Sequence, residues 1–369
     1  MKLLIISDTN YYTFKGEKFI FHSVQRELDV IGPYFNEIDF VGWRTKIATP
    51  QLLKINHPNF KLSGLTIDKN NTFKYYVTNI LSSLFIAYKI INSKADYVHV
   101  RGPSYPMFIA LLFAPVLSTK KKFWFKFANS WSQNGLSIFW DLQKLMLKSQ
   151  RKIKVTINGN WPNLPNHIIP FENPCFYEAD LKISVNKDFS HKKKVVFIGR
   201  ITESKGVFRI LNALTKEDLI RLDSVSFVGD GPESQSLQNL ISDHPCKSVI
   251  KIVGGQSKQG VMNILKESHF LLLPTTSPEG FPKVIAEAWL NKCIPVVSNV
   301  SSIPQYVVDR ETGILWDIDT ENWTEAMNRA FELDNVDAGR MFNNINLLLP
   351  KFTYEYFGQR VKREIFEID

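Results

Sequence analysis

The feature that most limits what this chain can fold into is a rhythm. Short apolar runs alternate with longer amphipathic ones, and the alternation restarts midway. In the first half, residues 3–7, 38–43, 60–67, 97–100 and 123–127 read as strands, and residues 17–31, 73–92 and 105–117 as helices. The second half repeats the pattern. Strands are expected at 194–198, 226–228, 250–253, 269–273, 294–298 and 313–316, with helices between them and a last helix over 354–368. Apolar runs buried on both faces and separated by helices imply doubly wound parallel sheets, so the fold class is α/β. The 369 residues are enough for two such domains. The expected division is 1–175, 176–350 and a terminal helix in 351–369.

Several classes fall away early. The longest apolar run, 106–117, is too short for the roughly 20 residues that span a bilayer. The N-terminal residues lack a cleavage site and read as a first buried strand rather than a signal peptide. Cys175, Cys246 and Cys293 are odd in number and have no metal or disulfide spacing, so a cytoplasmic, reducing setting is expected. The net charge of +9 favours an anionic partner. No nucleic-acid-binding motif accompanies it, so nucleic acid is not an expected partner. Aromatics and lysines mix over 135–154, including Lys144, Lys148 and Lys152, just after Lys120-Lys121-Lys122. Two readings stay open there: a basic amphipathic helix on the inner face of an acidic membrane, or a core-facing helix with a solvated basic face.

The stretch with most chemistry is Ser277-Pro278-Glu279-Gly280-Phe281-Pro282-Lys283-Val284-Ile285-Ala286-Glu287-Ala288. It follows a strand and opens a helix at Pro282, which places it at the carboxyl edge of a sheet, where open α/β folds bind ligands. The free N–H groups at that helix start suit an anion. Glu287 is ringed by apolar neighbours and needs a partner. Glu279 lies eight positions earlier, so the two carboxylates are too far apart to share a proton or a metal. A surface Glu and a partnered structural Glu are the plainer alternative. Two other strand ends carry candidates: Gly199-Arg200 with Lys205-Gly206, and the turn Gly229-Asp230-Gly231-Pro232.

Glu279 and Glu287 with seven residues between them, and Gly280-Phe281 after the first, together with Gly199-Arg200 and Lys205-Gly206, resemble the signature of the retaining family 4 glycosyltransferases. That resemblance implies a GT-B architecture: two Rossmann-like domains facing a cleft, with the C-terminal helix returning to the first. It implies transfer of a hexose-type unit from a nucleotide-sugar donor to a saccharide or lipid-linked saccharide acceptor, in surface polysaccharide or lipid-linked oligosaccharide synthesis. Glu279 would meet the donor sugar and Glu287 the ribose. Arg200 and Lys205 would stabilise the charge gained by the departing diphosphate. Gly199, Gly229, Asp230, Gly231, Gly280, Phe281, Lys283 and Val284 would complete the donor site, with Ser298 and Ser302 as weaker candidates.

The resemblance is specific over 193–317 and only architectural over 1–175. No glycine-rich loop follows the first strand, and Asn129 stands where such enzymes often carry a His. Three readings stay open: Asn129 replaces that His by hydrogen bonding, the loop is rebuilt, or Asn129 caps the next helix. Arg101 either meets an acidic group or forms a structural ion pair. No cofactor is expected. No metal is expected either, because Asp317-Ile318-Asp319 is explained as a helix cap and first-turn charge. A nucleotide-binding scaffold without transfer activity and a GT-B nucleotide-sugar epimerase are the alternatives.

Overall fold

The computed structural model describes residues 1–49, 52–64, 72–132, 135, 137–277 and 279–368. Pro278, Leu136 and the 65–67 end of one expected strand lie outside these. The chain forms two compact units, Met1–Glu172 with Tyr354–Asp369, and Asn173–Thr353. The first crossing thus lies at 172/173, where 175/176 was expected.

The first unit contains β1 (Lys2–Phe14), β2 (Glu17–Phe21), α1 (His22–Ile31), β3 (Glu37–Arg44), β4 (Leu52–Lys54), β5 (Phe60–Ser63), α2 (Thr72–Asn92), β6 (Tyr97–Gly102), α3 (Tyr105–Leu117), β7 (Lys122–Phe127), α4 (Ile138–Ser149), β8 (Lys154–Ile157) and β9 (Ile168–Pro170). A parallel sheet runs β5-β3-β1-β6-β7-β8-β9. Alternation along the strands divides the core in two. Leu4, Ile6, Val98, Val100, Phe123 and Phe125 pack under α2, α3 and α4. Leu3, Ile5, Tyr97 and Trp124 face α1 and the returning C-terminal segment.

Two expectations change here. The helix read over 17–31 begins only at His22, because Glu17–Phe21 folds back antiparallel on Tyr11–Phe14. The reversal is Lys15-Gly16, with φ of 47° and 80°, a two-residue turn whose twist suits a hairpin. On α4 the outer face is mixed rather than basic. Lys144 is buried and pairs with Asp141 at 3.2 Å, while Ile138, Leu142 and Leu145 are exposed. Lys148 on α4, and Arg151 and Lys152 just after it, stay exposed, so the expected basic face also carries an apolar stripe.

The second unit contains β10 (Lys193–Ile198), α5 (Val207–Ala213), β11 (Leu222–Val228), α6 (Ser234–Asp243), β12 (Ile250–Gly254), α7 (Lys258–Glu267), β13 (Phe270–Leu273), α8 (Lys283–Leu290), β14 (Ile294–Ser298), β15 (Ile314–Trp316), α9 (Trp323–Phe331) and α10 (Asn335–Leu348). Its sheet is parallel throughout, in the order β12-β11-β10-β13-β14-β15. The chain then re-enters the first unit as α11 (Tyr354–Arg360), prolonged by a π-helical turn over Val361–Ile365. Phe357, Val361, Ile365 and Phe366 bury themselves there. The Tyr97 hydroxyl donates to the Phe366 carbonyl at 2.9 Å, and Arg360 pairs with Glu172 at 2.8 Å. The three cysteines are free and buried, and burial pushes the Cys293 thiol up to about 11.

His99 gives the first unit a pH dependence. Its ring stacks on Trp124 at 3.7 Å, and its Nε2 is buried without a partner among the described residues. Burial first, and the Arg101 charge second, hold its pKa well below the ordinary value. The folded chain keeps the ring neutral, whereas the unfolded chain protonates it below about pH 6.5. Its contribution is therefore present above that pH and lost as pH falls through it. Urea unfolding at pH 7.5 and 5.5 should show a smaller loss of stability in His99→Phe than in the parent; an equal loss removes His99 as the source.

Candidate active site

In each sheet the strand order reverses direction at one point, and the carboxyl ends of the two strands there leave a crevice. In the second unit that point lies between β10 and β13. Gly199, Arg200 and Lys205 follow β10, and the segment leading to Glu279 follows β13, so the topology brings together residues some seventy positions apart. The two loops are tied at the backbone. Thr276 N–H donates to the Ser204 carbonyl at 2.8 Å, and Arg209 donates to the Pro274 carbonyl at 3.1 Å. Gly206 makes this approach possible: its φ is +85°, and a Cβ there would lie 2.3 Å from the Pro274 oxygen. The result is an ion pair between Lys205 Nζ and Glu279 Oε1, to which the Thr275 hydroxyl adds a longer contact of 3.5 Å. Arg200 beside it is exposed, and its guanidinium has no partner among the described residues.

Helix α8 starts just beyond Glu279. The N–H groups of Gly280, Phe281 and Val284 bond to no backbone carbonyl among the described residues. Lys283 is half-buried at the first helical position. The Phe281 side chain is 4% exposed and packs on Phe352, Tyr306 and Trp289, so what it presents at this edge is backbone. Further along α8, Glu287 pairs with Lys258 at the start of α7. The carboxylate had to find a partner, and Lys258 is the one it found. No local spacing could have named Lys258, twenty-nine residues away; only the packing of α7 beside α8 brings it near.

The Gly229-Asp230-Gly231 turn lies against the same strand end. Gly229 has a φ of +132°, and a Cβ there would meet the Gly199 oxygen at 1.9 Å, so the two turns are in backbone contact. Ile201 N–H donates to the Asp230 carbonyl at 3.0 Å. Asp230 is exposed, and its carboxylate lies over Gly254-Gly255. The Ser298 hydroxyl is taken up by the Thr275 carbonyl at 2.5 Å, which positions the β13 loop. The Ser302 hydroxyl is buried and unpartnered among the described residues. Asp317 and Asp319 do not cap α9, whose cap is Asn322. Instead Asp317 accepts from Thr320 Oγ1 and Asn299 Nδ2, each at 2.8 Å, and from Asp319 N–H at 3.1 Å; the Thr320 bond leads in holding its pKa below the ordinary value. Among the described residues no group of three His, Cys, Asp or Glu could hold a metal.

In the first unit the reversal lies between β1 and β6. A pocket of about 230 Å³ opens there, lined by Ser7, Asp8, Thr9, Arg101, Lys126 and Asn129 among others. Arg101 is the structural ion pair: it and Lys126 (2.7 Å) both bind Glu27, whose side chain is 3% exposed. Asn129 caps nothing, because the next helix starts only at Ile138 behind Ser137; it lines the pocket instead.

Residues 180–344 match the family model described as glycosyl transferases group 1. A protein from Klebsiella pneumoniae, described as an uncharacterized 41.2 kDa protein in the cps region, is 22% identical over 272 residues, 66% of this chain and 71% of its own length. The Anabaena protein Alr3699/HepE, solved with UDP, superposes with a TM-score of 0.71 at 13% identity over 100% of both chains; it has also been solved with UDP-glucose. The lipopolysaccharide outer core galactosyltransferase WaaB superposes at 0.68, with 15% identity, 100% of this chain and 99% of its own. Likeness at these identities concerns the fold, and the fold is GT-B.

Proposed function

We propose that this chain is a retaining glycosyltransferase that takes a sugar from a nucleotide-sugar and passes it to a saccharide acceptor in the synthesis of a surface polysaccharide or lipid-linked oligosaccharide. One observation carries the reading: at the strand reversal of the second unit, Lys205 and Glu279 are paired, and Arg200, on the same loop as Lys205, is exposed with no partner among the described residues. A nucleoside diphosphate joined to a sugar has an anion at its middle and hydroxyls at one end, and this edge offers cations for the one and a carboxylate for the other. In transfer, the bond from the anomeric carbon to the diphosphate oxygen breaks, and one to the acceptor oxygen forms on the same face of the sugar. Negative charge grows on the departing diphosphate, where fixed cations stabilise the transition state more than the bound donor. Arg200 and Lys205 supply that charge, and the α8 N-terminus adds its N–H groups. Glu287 meets the ribose, with Lys258 holding its carboxylate in place. The Anabaena relative's binding of UDP and UDP-glucose makes uridine sugars the first donors to try. The Klebsiella cps-region relative and the lipopolysaccharide outer core galactosyltransferase support a surface-polysaccharide acceptor.

A metal would duplicate charge that Arg200, Lys205 and the helix start already provide, so transfer should need none. The test is a panel of nucleotide-sugars, scored for thermal stabilisation and slow donor hydrolysis, with and without excess EDTA. One donor should stand out, EDTA should not abolish its turnover, and the product anomer read by NMR should match the donor's. Stabilisation by nucleotide without any turnover would favour a scaffold, and activity lost in EDTA and restored by magnesium or manganese would overturn the charge assignment.

A further inference from the structure

Helices α2, α3 and α4 form one layer over the first unit's sheet. The Ser83 and Tyr105 hydroxyls lie 2.8 Å apart across α2 and α3, and Phe108 packs on Phe139 across α3 and α4 at 5.1 Å. The outer side of this layer should be polar. It is not: Leu84 and Tyr88 on α2, Leu112 and Val116 on α3, and Ile138 and Leu145 on α4 are all more than half exposed, Ile138 at 90%. Helix α3 has no charged residue on any face. A helix apolar all round belongs in a buried setting, yet this one turns a side to solvent. Contiguous apolar surface of this kind marks a docking face.

Charge indicates what covers it. Residues 72–154 hold thirteen Lys and Arg against only Asp96 and Asp141; Lys89, Arg101, Lys122, Lys126, Lys144 and Lys154 are taken up in ion pairs, and the exposed remainder includes Lys94, Lys120, Lys148, Arg151 and Lys152. Neither α2 nor α3 contains Asp or Glu, and the one acid on α4, Asp141, is engaged by Gly135 N–H and Lys144. In a doubly wound unit each crossover helix runs back against its strands, so α2, α3 and α4 all end at the same sheet edge. Exposed Lys94, Lys120, Arg151 and Lys152 follow those ends. Lys121 is not part of this rim, because it donates inward to the Ser93 carbonyl at 2.6 Å. An open depression of about 780 Å³ at the same edge is lined by Arg151 and Lys152, and by Lys122 and Lys154, which pair with Glu367 in the same lining. A second copy of this chain would bring two such basic segments together and be repelled. An apolar face with a basic rim and no unpaired acid fits a lipid surface bearing anionic headgroups.

We propose that the outer face of α2, α3 and α4 rests on an anionic bilayer, its aliphatic side chains among the acyl chains and its basic rim among the headgroups. This holds the protein at the surface without crossing it, since no described helix is long and apolar enough to span. The inference stands apart from the transferase reading.

Flotation of the full chain with neutral phosphatidylcholine vesicles and with vesicles containing phosphatidylglycerol tests it. Binding is expected to the anionic vesicles, and rising salt should weaken it. Leu84→Asp, Leu112→Asp and Leu145→Asp together should cut partitioning by about tenfold or more, since charge on the inserted face opposes insertion. Should that variant misfold by circular dichroism, Lys120→Glu with Lys152→Glu on the exposed rim should still abolish the preference for anionic over neutral vesicles. No binding to anionic vesicles overturns the proposal, as does unchanged binding in the folded variants. A dimer in sedimentation that the apolar-face variant dissociates, without vesicle binding, would give the face to a second copy. Donor hydrolysis in solution is a separate readout, so vesicle binding without turnover counts against the transferase reading alone.

Discussion

Glu279→Gln should lower sugar transfer by about 100-fold or more, while nucleotide affinity holds or rises, the pattern left when an interaction made mainly in the transition state is removed. The substitution keeps the shape of the side chain and removes its charge. In the unliganded chain that charge is spent on Lys205. Once it is gone, Lys205 is freer to meet a diphosphate, so nucleotide binding does not suffer. The sugar end loses its carboxylate, and the reacting centre is what pays. Glu287→Ala should behave in the opposite way and weaken nucleotide binding, because its carboxylate lies further along α8 and is held by Lys258 rather than Lys205. The measurement is turnover at saturating donor alongside nucleotide binding by calorimetry. Parent-like transfer in both variants would remove the two carboxylates from the site.

Arg200→Ala should reduce transfer by about 100-fold, the scale seen when one charge-stabilising group is deleted. Of the two cations it is the one without a competing partner among the described residues. Its whole charge is therefore available to a departing diphosphate, and its removal leaves no carboxylate stranded. Lys205→Ala should lower transfer as well, but it also strands Glu279, so its effect mixes catalysis with the release of that carboxylate. Arg200→Lys separates charge from shape: partial recovery is expected, because a single ammonium cannot reproduce the two-pronged contact of a guanidinium. Full activity in Arg200→Ala under saturating donor would place the charge stabilisation elsewhere.

Much of this was legible because strand ends were legible. Once 194–198 and 269–273 are read as neighbouring parallel strands, Gly199-Arg200, Lys205 and Glu279 are bound for one edge, and the ion pair shows that Lys205 and Glu279 meet there. What the sequence hid was of three kinds. Glu17–Phe21 has a composition that suits helix or strand, and only its pairing to Tyr11–Phe14 through Lys15-Gly16 decides for strand. Lys258 and Glu27 are partners supplied by tertiary packing, from helices far along the chain from Glu287 and Arg101. On α4 the lysines suggested a wet basic face, but a lysine can turn inward when an aspartate one turn away receives it, as Asp141 receives Lys144. A helix that is apolar on both sides does not announce which one faces the sheet.

The return of α11 to the first unit has a consequence for how the protein is made. Domains usually fold in the order in which they leave the ribosome. Here the first unit emerges first and is completed second. Its aromatic layer around Tyr97 and Trp124 is closed by Phe357 and Phe366, which are translated only after the whole of Asn173–Thr353. The second unit, one uninterrupted stretch of chain, has every residue of its sheet available before that closure. During synthesis the nascent first unit must wait with an open apolar seam along one face of its sheet, and the second unit is in a position to mature ahead of it.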